Sequence, residues 1–268
     1  MKREPGTAVY DSGLRLEAYC FRRSFPEHFH EHYVVGFVEQ GQGILLCRGV
    51  EYALKRGDVV IYNPGDSHSC AESGAALDYR GFHIPRETML DLTGETEGDP
   101  PRFSQNVVCD EACVQGLRTL HDQVMRGVQS SGREEELRRL LARLLRLCGG
   151  RPGPSAPGKA VERACAFMRE HCAEHVSLDQ LSGLAGLSKS VLLRAFARET
   201  GVTPYRYLES IRISAAKKLL EQGVPPAEAA LQTGFSDQSH FTNCFSRYIG
   251  LAPGAYREIF LDKEGDVS

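Results

Sequence analysis

The C-terminal part of the chain carries one helical pattern twice, and a chain built this way has few folds open to it. Residues 181–207 read LSGLAGLSKSVLLRAFARETGVTPYRY, and residues 230–256 read ALQTGFSDQSHFTNCFSRYIGLAPGAY. Gly186 aligns with Gly234 and Ser188 with Ser236, an offset of 48. Phe196 then aligns with Phe245, Gly201 with Gly250, Pro204 with Pro253 and Tyr207 with Tyr256, an offset of 49, so one extra residue enters the second copy near Asp237. A solenoid needs at least three such units. Two copies fit a duplicated helix-turn-helix.

The chemistry of each copy supports that reading. Gly186 and Gly234 follow short apolar helices and suit the left-handed conformation that ends a helix, and Ser188 and Ser236 are good N-caps for the next one. A helix that enters the major groove needs one apolar and one polar face. In the first copy Val191, Leu192, Ala195 and Phe196 are expected inside, leaving Lys189, Ser190, Leu193, Arg194 and Arg198 outside. In the second, Phe241, Cys244, Phe245 and Tyr248 form the inward stripe, with Gln238, Ser239, Thr242, Asn243 and Arg247 exposed or partly so. Arginine reads guanine edges through its donor fork, and Gln or Asn pairs with adenine in the same two-bonded way. The plainer alternative for each of these side chains is a solvated helix face. Between the copies, residues 203–220 read as one helix with a Thr203 N-cap and Pro204 in its first turn. Its 18 residues span roughly 27 Å, against about 34 Å between successive major-groove segments on one DNA face.

The segment Lys217 to Arg257 closely resembles the signature of AraC/XylS-type transcriptional regulators, above all in the GFSDQSHF run, Phe245 and the Gly250, Pro253, Tyr256 spacing. The resemblance spans about residues 160–258. It implies a seven-helix domain with two helix-turn-helix units acting on double-stranded promoter DNA, with RNA polymerase as a partner. Carried over by position, it gives Ser190, Leu193 and Arg194 as base readers in the first unit and Gln238, Ser239 and Asn243 in the second. Lys189 and Arg247 flank them as further DNA contacts. Two departures matter: Ser190 and Leu193 are weak hydrogen-bonding readers, and Asn243 stands where a longer Arg is common. Preference then rests on Arg194, Gln238 and methyl or shape contacts.

Charge bears on how such a domain would hold DNA. The whole chain has 32 Lys and Arg against 35 Asp and Glu, and residues 159–257 hold 12 basic against 9 acidic residues. A field this weak favours paired sites bound by a homodimer over non-specific attraction. A length of 268 residues allows two domains. No apolar run long enough to span a membrane occurs, and residues 1–10 lack the apolar stretch of a signal peptide, so the expected location is cytoplasmic. Nine cysteines without paired spacing fit a reducing compartment.

GGRPGPSAPG, residues 149–158, reads as a linker, since its composition supports neither helix nor core. Before it, residues 107–148 read as a helical dimerisation segment. One helix from about 110 to 127 carries Val114, Leu117, Leu120, His121 and Val124, and a second over 133–148 carries Leu137, Leu140, Leu141, Leu144 and Leu147 on one stripe. That stripe either packs on the N-terminal domain or forms a dimer seam, the latter also implied by the resemblance.

Residues 7–84 read as β-structure, with short apolar or alternating runs such as YVVGFVEQ and DVVIYNP between turn residues. Two pieces within residues 1–106 resemble a cupin: HFHEHY followed by Gly41 and Gly43, and GDVVIYNPGDSH ending at His68. The expected architecture is therefore a two-domain α+β chain. A cupin-like β-barrel or jelly roll with C-terminal helices comes first, and an all-α domain over residues 159–268 with two helix-turn-helix units follows. His28, His30 and His32 alternate, so on one strand they would share a face. With His68, the set His28, His30, His68 offers a transition-metal site, although the carboxylate that usually follows the second cupin histidine is missing at Tyr33, Val34 and Val35. Tyr62, Phe82 and His83 are further candidates for the wall of a small-molecule pocket, or simply core residues. Cys47, Cys70, Cys109 and Cys113 offer oxidant or metal sensing, with buried small hydrophobes as the default.

No nucleotide-binding glycine loop or hydrolase motif is present. The expected protein is a non-enzymatic transcriptional regulator, expected to activate. A small-molecule effector in the β-domain controls it, no cofactor is required and no membrane is involved. Two rivals are a metal-dependent cupin enzyme with a helical appendage, and a constitutive DNA-binding activator with an inert β-domain.

Overall fold

The computed structural model describes residues 7–21, 24–73, 76–94, 101–150 and 158–261. The chain divides into two compact units: most of the chain before the Gly/Pro-rich stretch forms one, and the chain after it forms the other together with residues 25–29 and 66–68.

The first unit opens with the strands β1 (Thr7–Asp11), β2 (Leu16–Phe21), β3 (Phe25–His28), β4 (Tyr33–Gln40), β5 (Gln42–Cys47), β6 (Val50–Lys55), β7 (Asp58–Tyr62), β8 (His68–Glu72) and β9 (Asp78–Ile84). Of these, β3 falls with the second unit. Then come α1 (Arg86–Thr93), β10 (Arg102–Phe103), β11 (Val107–Cys109), α2 (Glu111–Met125), α3 (Arg133–Cys148) and β12 (Gly149–Gly150). Six strands form an antiparallel sheet in the order β1-β2-β9-β4-β7-β11, and β8, β5 and β6 run in that order in a second sheet.

Period-two alternation gives the large sheet two different faces. Leu16, Ala18, Tyr33, Val35, Phe37, Val59, Ile61, Phe82 and Ile84 form one core with Met89 of α1, Leu117, Leu120 and Val124 of α2, and Leu137, Leu141 and Leu144 of α3. Phe82 is thereby placed against the helices, beside His121 at 5.7 Å between ring centroids, rather than in the expected pocket wall with its neighbour His83. His121 Nε2 meets the Tyr19 carbonyl at 2.9 Å, and burial lowers the ring's pKa to about 4. A buried ion pair between Asp11 and Arg133 ties β1 to α3.

Three expectations change here. The segment over 107–148 begins as sheet, because β11 pairs with β7 before Asp110 caps α2 through the Cys113 N–H. The leucine stripe is no dimer seam: Leu137, Leu140, Leu141 and Leu144 are at most 5 % exposed within one chain, and of the five only Leu147, 44 % exposed, faces outward. A stripe already covered by α1, α2 and the β10–β12 pair of its own unit has little left to bury against a partner. Finally, Gly149 and Gly150 are not linker but a short strand paired with β10, while residues 151–157 lie outside the described residues.

The second unit holds α4 (Lys159–Glu170), α5 (Leu178–Ala185), α6 (Lys189–Thr200), α7 (Pro204–Glu221), α8 (Pro226–Gln232), α9 (Gln238–Ile249) and α10 (Pro253–Leu261). They build two cores. Val161, Met168, Leu181, Leu192 and Phe196 surround one, and Ala229, Phe235, Phe241, Phe245 and Tyr256 the other. The connecting helix α7 serves both, with Tyr207, Leu208 and Ile211 in the first core and Ile213, Ala216 and Leu220 in the second. Thr203 caps it by accepting the Arg206 N–H, and Pro204 occupies its first turn. Among the described residues, no helix is long and apolar enough to cross a membrane.

Candidate nucleic-acid interface and ligand site

Each repeat forms helix, turn, helix. Gly186 closes α5 in the left-handed conformation at φ 68°, and α6 starts after Ser188. In the second copy Gly234 takes φ 79°, but the N-cap of α9 is Asp237, not Ser236, with its carboxylate accepting the His240 N–H at 2.7 Å. The extra residue in the repeat moves the helix start by one. Asp is as good a cap as Ser, which lets the shift occur without loss. Ser188, by contrast, makes no side-chain cap bond.

On α6 the buried residues are Leu192 and Phe196, with Ala195 half-buried; Lys189, Ser190, Leu193, Arg194 and Arg198 are exposed. Val191, expected inside, is 40 % exposed, so α6 presents two apolar side chains, Val191 and Leu193, among its polar ones. A thymine methyl is the natural contact for such a group. Lys189 reaches Asp179 of α5 at 2.7 Å, and Arg194 Nε donates to the Ser190 carbonyl one turn back. On α9 Phe241, Cys244, Phe245 and Tyr248 are buried, while Gln238, Ser239, Asn243 and Arg247 are exposed or nearly so and Thr242 is half-buried.

Sequence reasoning passed over the group that locks α9 to α7. Glu209, in the middle of α7, is buried and accepts from the Tyr248 hydroxyl at 2.9 Å, from Arg206 Nη1 at 2.9 Å and from the Cys244 thiol at 3.4 Å. Burial, and then the Glu209 charge, push the Cys244 thiol up to about 11. An acid three residues after Arg206, within one helix, was the available signal.

In the β-unit the face away from the helices carries polar chemistry. Glu17 of β2 stands opposite His83 of β9, His83 opposite Val34 of β4, and Val34 opposite Tyr62 of β7, so the four share one face. Two residues along, Tyr19 joins them, its ring 4.2 Å from that of His83. The Glu17 carboxylate meets His83 Nδ1 at 3.3 Å. Burial raises the phenol pKa values of Tyr19, Tyr62 and Tyr79. Glu17 and Tyr19 were not anticipated; a lone acid in the otherwise apolar strand LEAYCF was the sign.

The histidines do not lie on one strand. β3 ends at His28 and β4 begins at Tyr33, so His30 and His32 sit in the connection, where a bend replaces strand alternation. His28 and His68 pair ring to ring at 4.4 Å, with their Nδ1 atoms on the carbonyls of Pro26 and Asp66. His30 falls in the first unit, with His32 and His83. There His30, His32 and His83 present ligand atoms within 4.8 Å of one another. Of the expected sensor cysteines, Cys47 and Cys113 are buried, and burial lifts the Cys70 and Cys113 thiols to about 11 and 12, the reverse of a reactive thiolate.

A family model described as a helix-turn-helix domain matches residues 181–259, and one described as an AraC-like ligand binding domain matches residues 13–148. The chain is 43 % identical over 249 residues to YbfI of Bacillus subtilis (strain 168), an uncharacterised HTH-type transcriptional regulator, covering 90 % of each chain. It is 26 % identical to the HTH-type transcriptional activator RhaS of Enterobacter sp. (strain 638), over 92 % of each. Among solved structures, wild-type ToxT from Vibrio cholerae with an unsaturated fatty acid bound shares the fold with a TM-score of 0.57 at 17 % identity, covering 96 % of this chain and 97 % of that one.

Proposed function

The chain belongs to the AraC family of transcriptional regulators, and from that premise we propose that it reads promoter DNA through α6 and α9 under control of a small molecule held in its β-unit. Its relatives are regulators rather than enzymes. The observation that carries the reading is α7, one 18-residue helix buried at its start in the first helix-turn-helix core and at its end in the second. A single rigid element shared by two cores fixes the separation of two recognition helices, which is what reading two successive stretches of major groove requires.

In this reading Arg194 and Gln238 supply the bidentate base contacts, Ser190, Ser239 and Asn243 the shorter ones, and Leu193 a methyl contact, while Lys189 and Arg247 sit on phosphates. The effector lies on the Glu17, Tyr19, Tyr62 and His83 face of the β-unit, with His30 and His32 beside it. Effector and DNA binding are then coupled reciprocally, through a difference in affinity for two states. Activation by way of RNA polymerase is the sense of regulation we assign, after the activator name carried by the RhaS relatives. The weak net charge of the helical unit favours a homodimer on paired sites, acting in the cytoplasm where promoter DNA is found.

Selection of random duplex DNA with the full-length protein at one fixed salt concentration tests this. The expected product is a motif of two blocks about one helical turn apart. Failure to enrich any motif would overturn the reading.

A further inference from the structure

We propose that His30, His32 and His83 bind a divalent first-row transition metal ion in the β-unit, with Glu17 as the carboxylate that orients His83. The inference deepens the reading of this face as the ligand site and names the chemistry of what it takes. It differs from the trio that the cupin resemblance suggests, since it uses neither His28 nor His68.

The geometry is that of three imidazoles converging from two directions. His83 projects from the middle of the large sheet, where β2 and β4 flank it, and is buried. His30 and His32 come from the connection before β4, their rings 4.7 Å apart, and stand 5.5 and 4.5 Å from the His83 ring. The backbone of His30 is fixed by accepting the Gly65 N–H at 2.8 Å. Ligand nitrogens around a tetrahedral ion, with bonds of about 2.0–2.1 Å, lie about 3.3 Å apart. The present separations, up to 4.8 Å, close to that value by rotation of side chains, two of which lie outside any strand ladder.

The donor set selects the ion. Imidazole nitrogen suits zinc, copper, nickel, cobalt or iron, whereas calcium and magnesium call for oxygen. With Glu17 3.3 Å from Nδ1 of His83, a proton held on Nδ1 would leave Nε2 as the ligating atom, the usual carboxylate–histidine–metal arrangement. Three protein ligands leave at least one coordination position for water or for a donor group of a bound effector.

The test uses the full-length protein, stripped with chelator and titrated without DNA, by calorimetry with Zn²⁺ and by the visible ligand-field bands of Co²⁺. One equivalent is expected to bind, and X-ray absorption of the wild-type zinc form is expected to show a shell of nitrogen from three imidazoles. His32→Gln and His83→Gln each weaken binding at least about tenfold, and Glu17→Gln weakens it about 10–100-fold. His68→Gln leaves it within about twofold, because that ring is outside the set. His32 lies outside the strands, so its variant serves where His83→Gln disturbs folding. Absence of stoichiometric binding, a sulfur shell from the cysteines, or loss of binding in His68→Gln with retention in His32→Gln would overturn the proposal. Because no DNA is present, such a failure leaves the regulator reading intact, and failure of DNA selection leaves the metal result intact.

Discussion

Gly36 lies beneath Tyr79: a Cβ on Gly36 would stand 2.5 Å from the Tyr79 hydroxyl oxygen. Its partner across β4 and β9 is Gly81, where a Cβ would meet the Gly36 Cα at 2.5 Å and the Val35 carbonyl at 2.6 Å. Gly36 clears the space that Tyr79 fills on the polar face of the sheet, and Gly81 lets the β4 backbone approach β9 closely. Gly81→Ala meets only backbone, which cannot swing aside, so it is expected to destabilise the protein by about 1–3 kcal/mol. Urea unfolding measures this, and an unchanged midpoint would contradict the packing described.

Helix capping differs between the two recognition helices. Asp237→Ala removes the bond to the His240 N–H and is expected to cost about 0.5–2 kcal/mol. Ser188→Ala removes no side-chain cap bond and should stay within about 0.5 kcal/mol. Thermal melts of the two variants side by side give the comparison; equal losses would contradict it.

The buried His121 links stability to acid. Its folded-state pKa, about 4, lies below the ordinary 6.5 because burial disfavours the imidazolium. The unfolded chain then binds a proton that the folded chain refuses. The stabilisation is therefore complete above pH 6.5 and is lost as pH falls from 6.5 towards 4. The slope from one such group is at most about 1.4 kcal/mol per pH unit. Unfolding measured across that range should show a shallower slope for His121→Gln than for the wild type, and parallel curves would contradict the assignment.

Leu141 and Leu147 separate core from surface on α3. Leu141 is fully buried, so Leu141→Ala is expected to cost about 2–5 kcal/mol, whereas Leu147→Ala should cost under about 0.5 kcal/mol. Chemical denaturation measures both. A Leu141→Ala variant that kept its stability and lost only self-association would restore the dimer seam.

The helical unit was legible because its signals are local. Gly186, Gly201, Gly234 and Gly250 all adopt the left-handed conformation their positions demand, and the apolar spacing of α9 named its four inward residues. The β-unit was less legible, because a face belongs to a sheet and not to a strand. Phe82 and His83 are adjacent in sequence and both buried, and only pairing with Ala18 and Glu17 tells which of them meets helices and which meets Glu17. His28, His30 and His32 alternate as a strand would, yet the strand stops at His28, so spacing alone misassigned their face. Helix α1 lacked an N-capping side chain and was not anticipated.

The central claim is that α6 and α9 each read part of one bipartite DNA site. Its most direct test is the affinity of Arg194→Ala and Gln238→Ala for the selected duplex, and for duplexes with either block scrambled, at one salt concentration. Each variant is expected to lose about 1–3 kcal/mol on the intact site and to become less sensitive to scrambling of its own block, with sensitivity to the other block unchanged. Unchanged affinity in both variants, with scrambling of both blocks still felt, would contradict it.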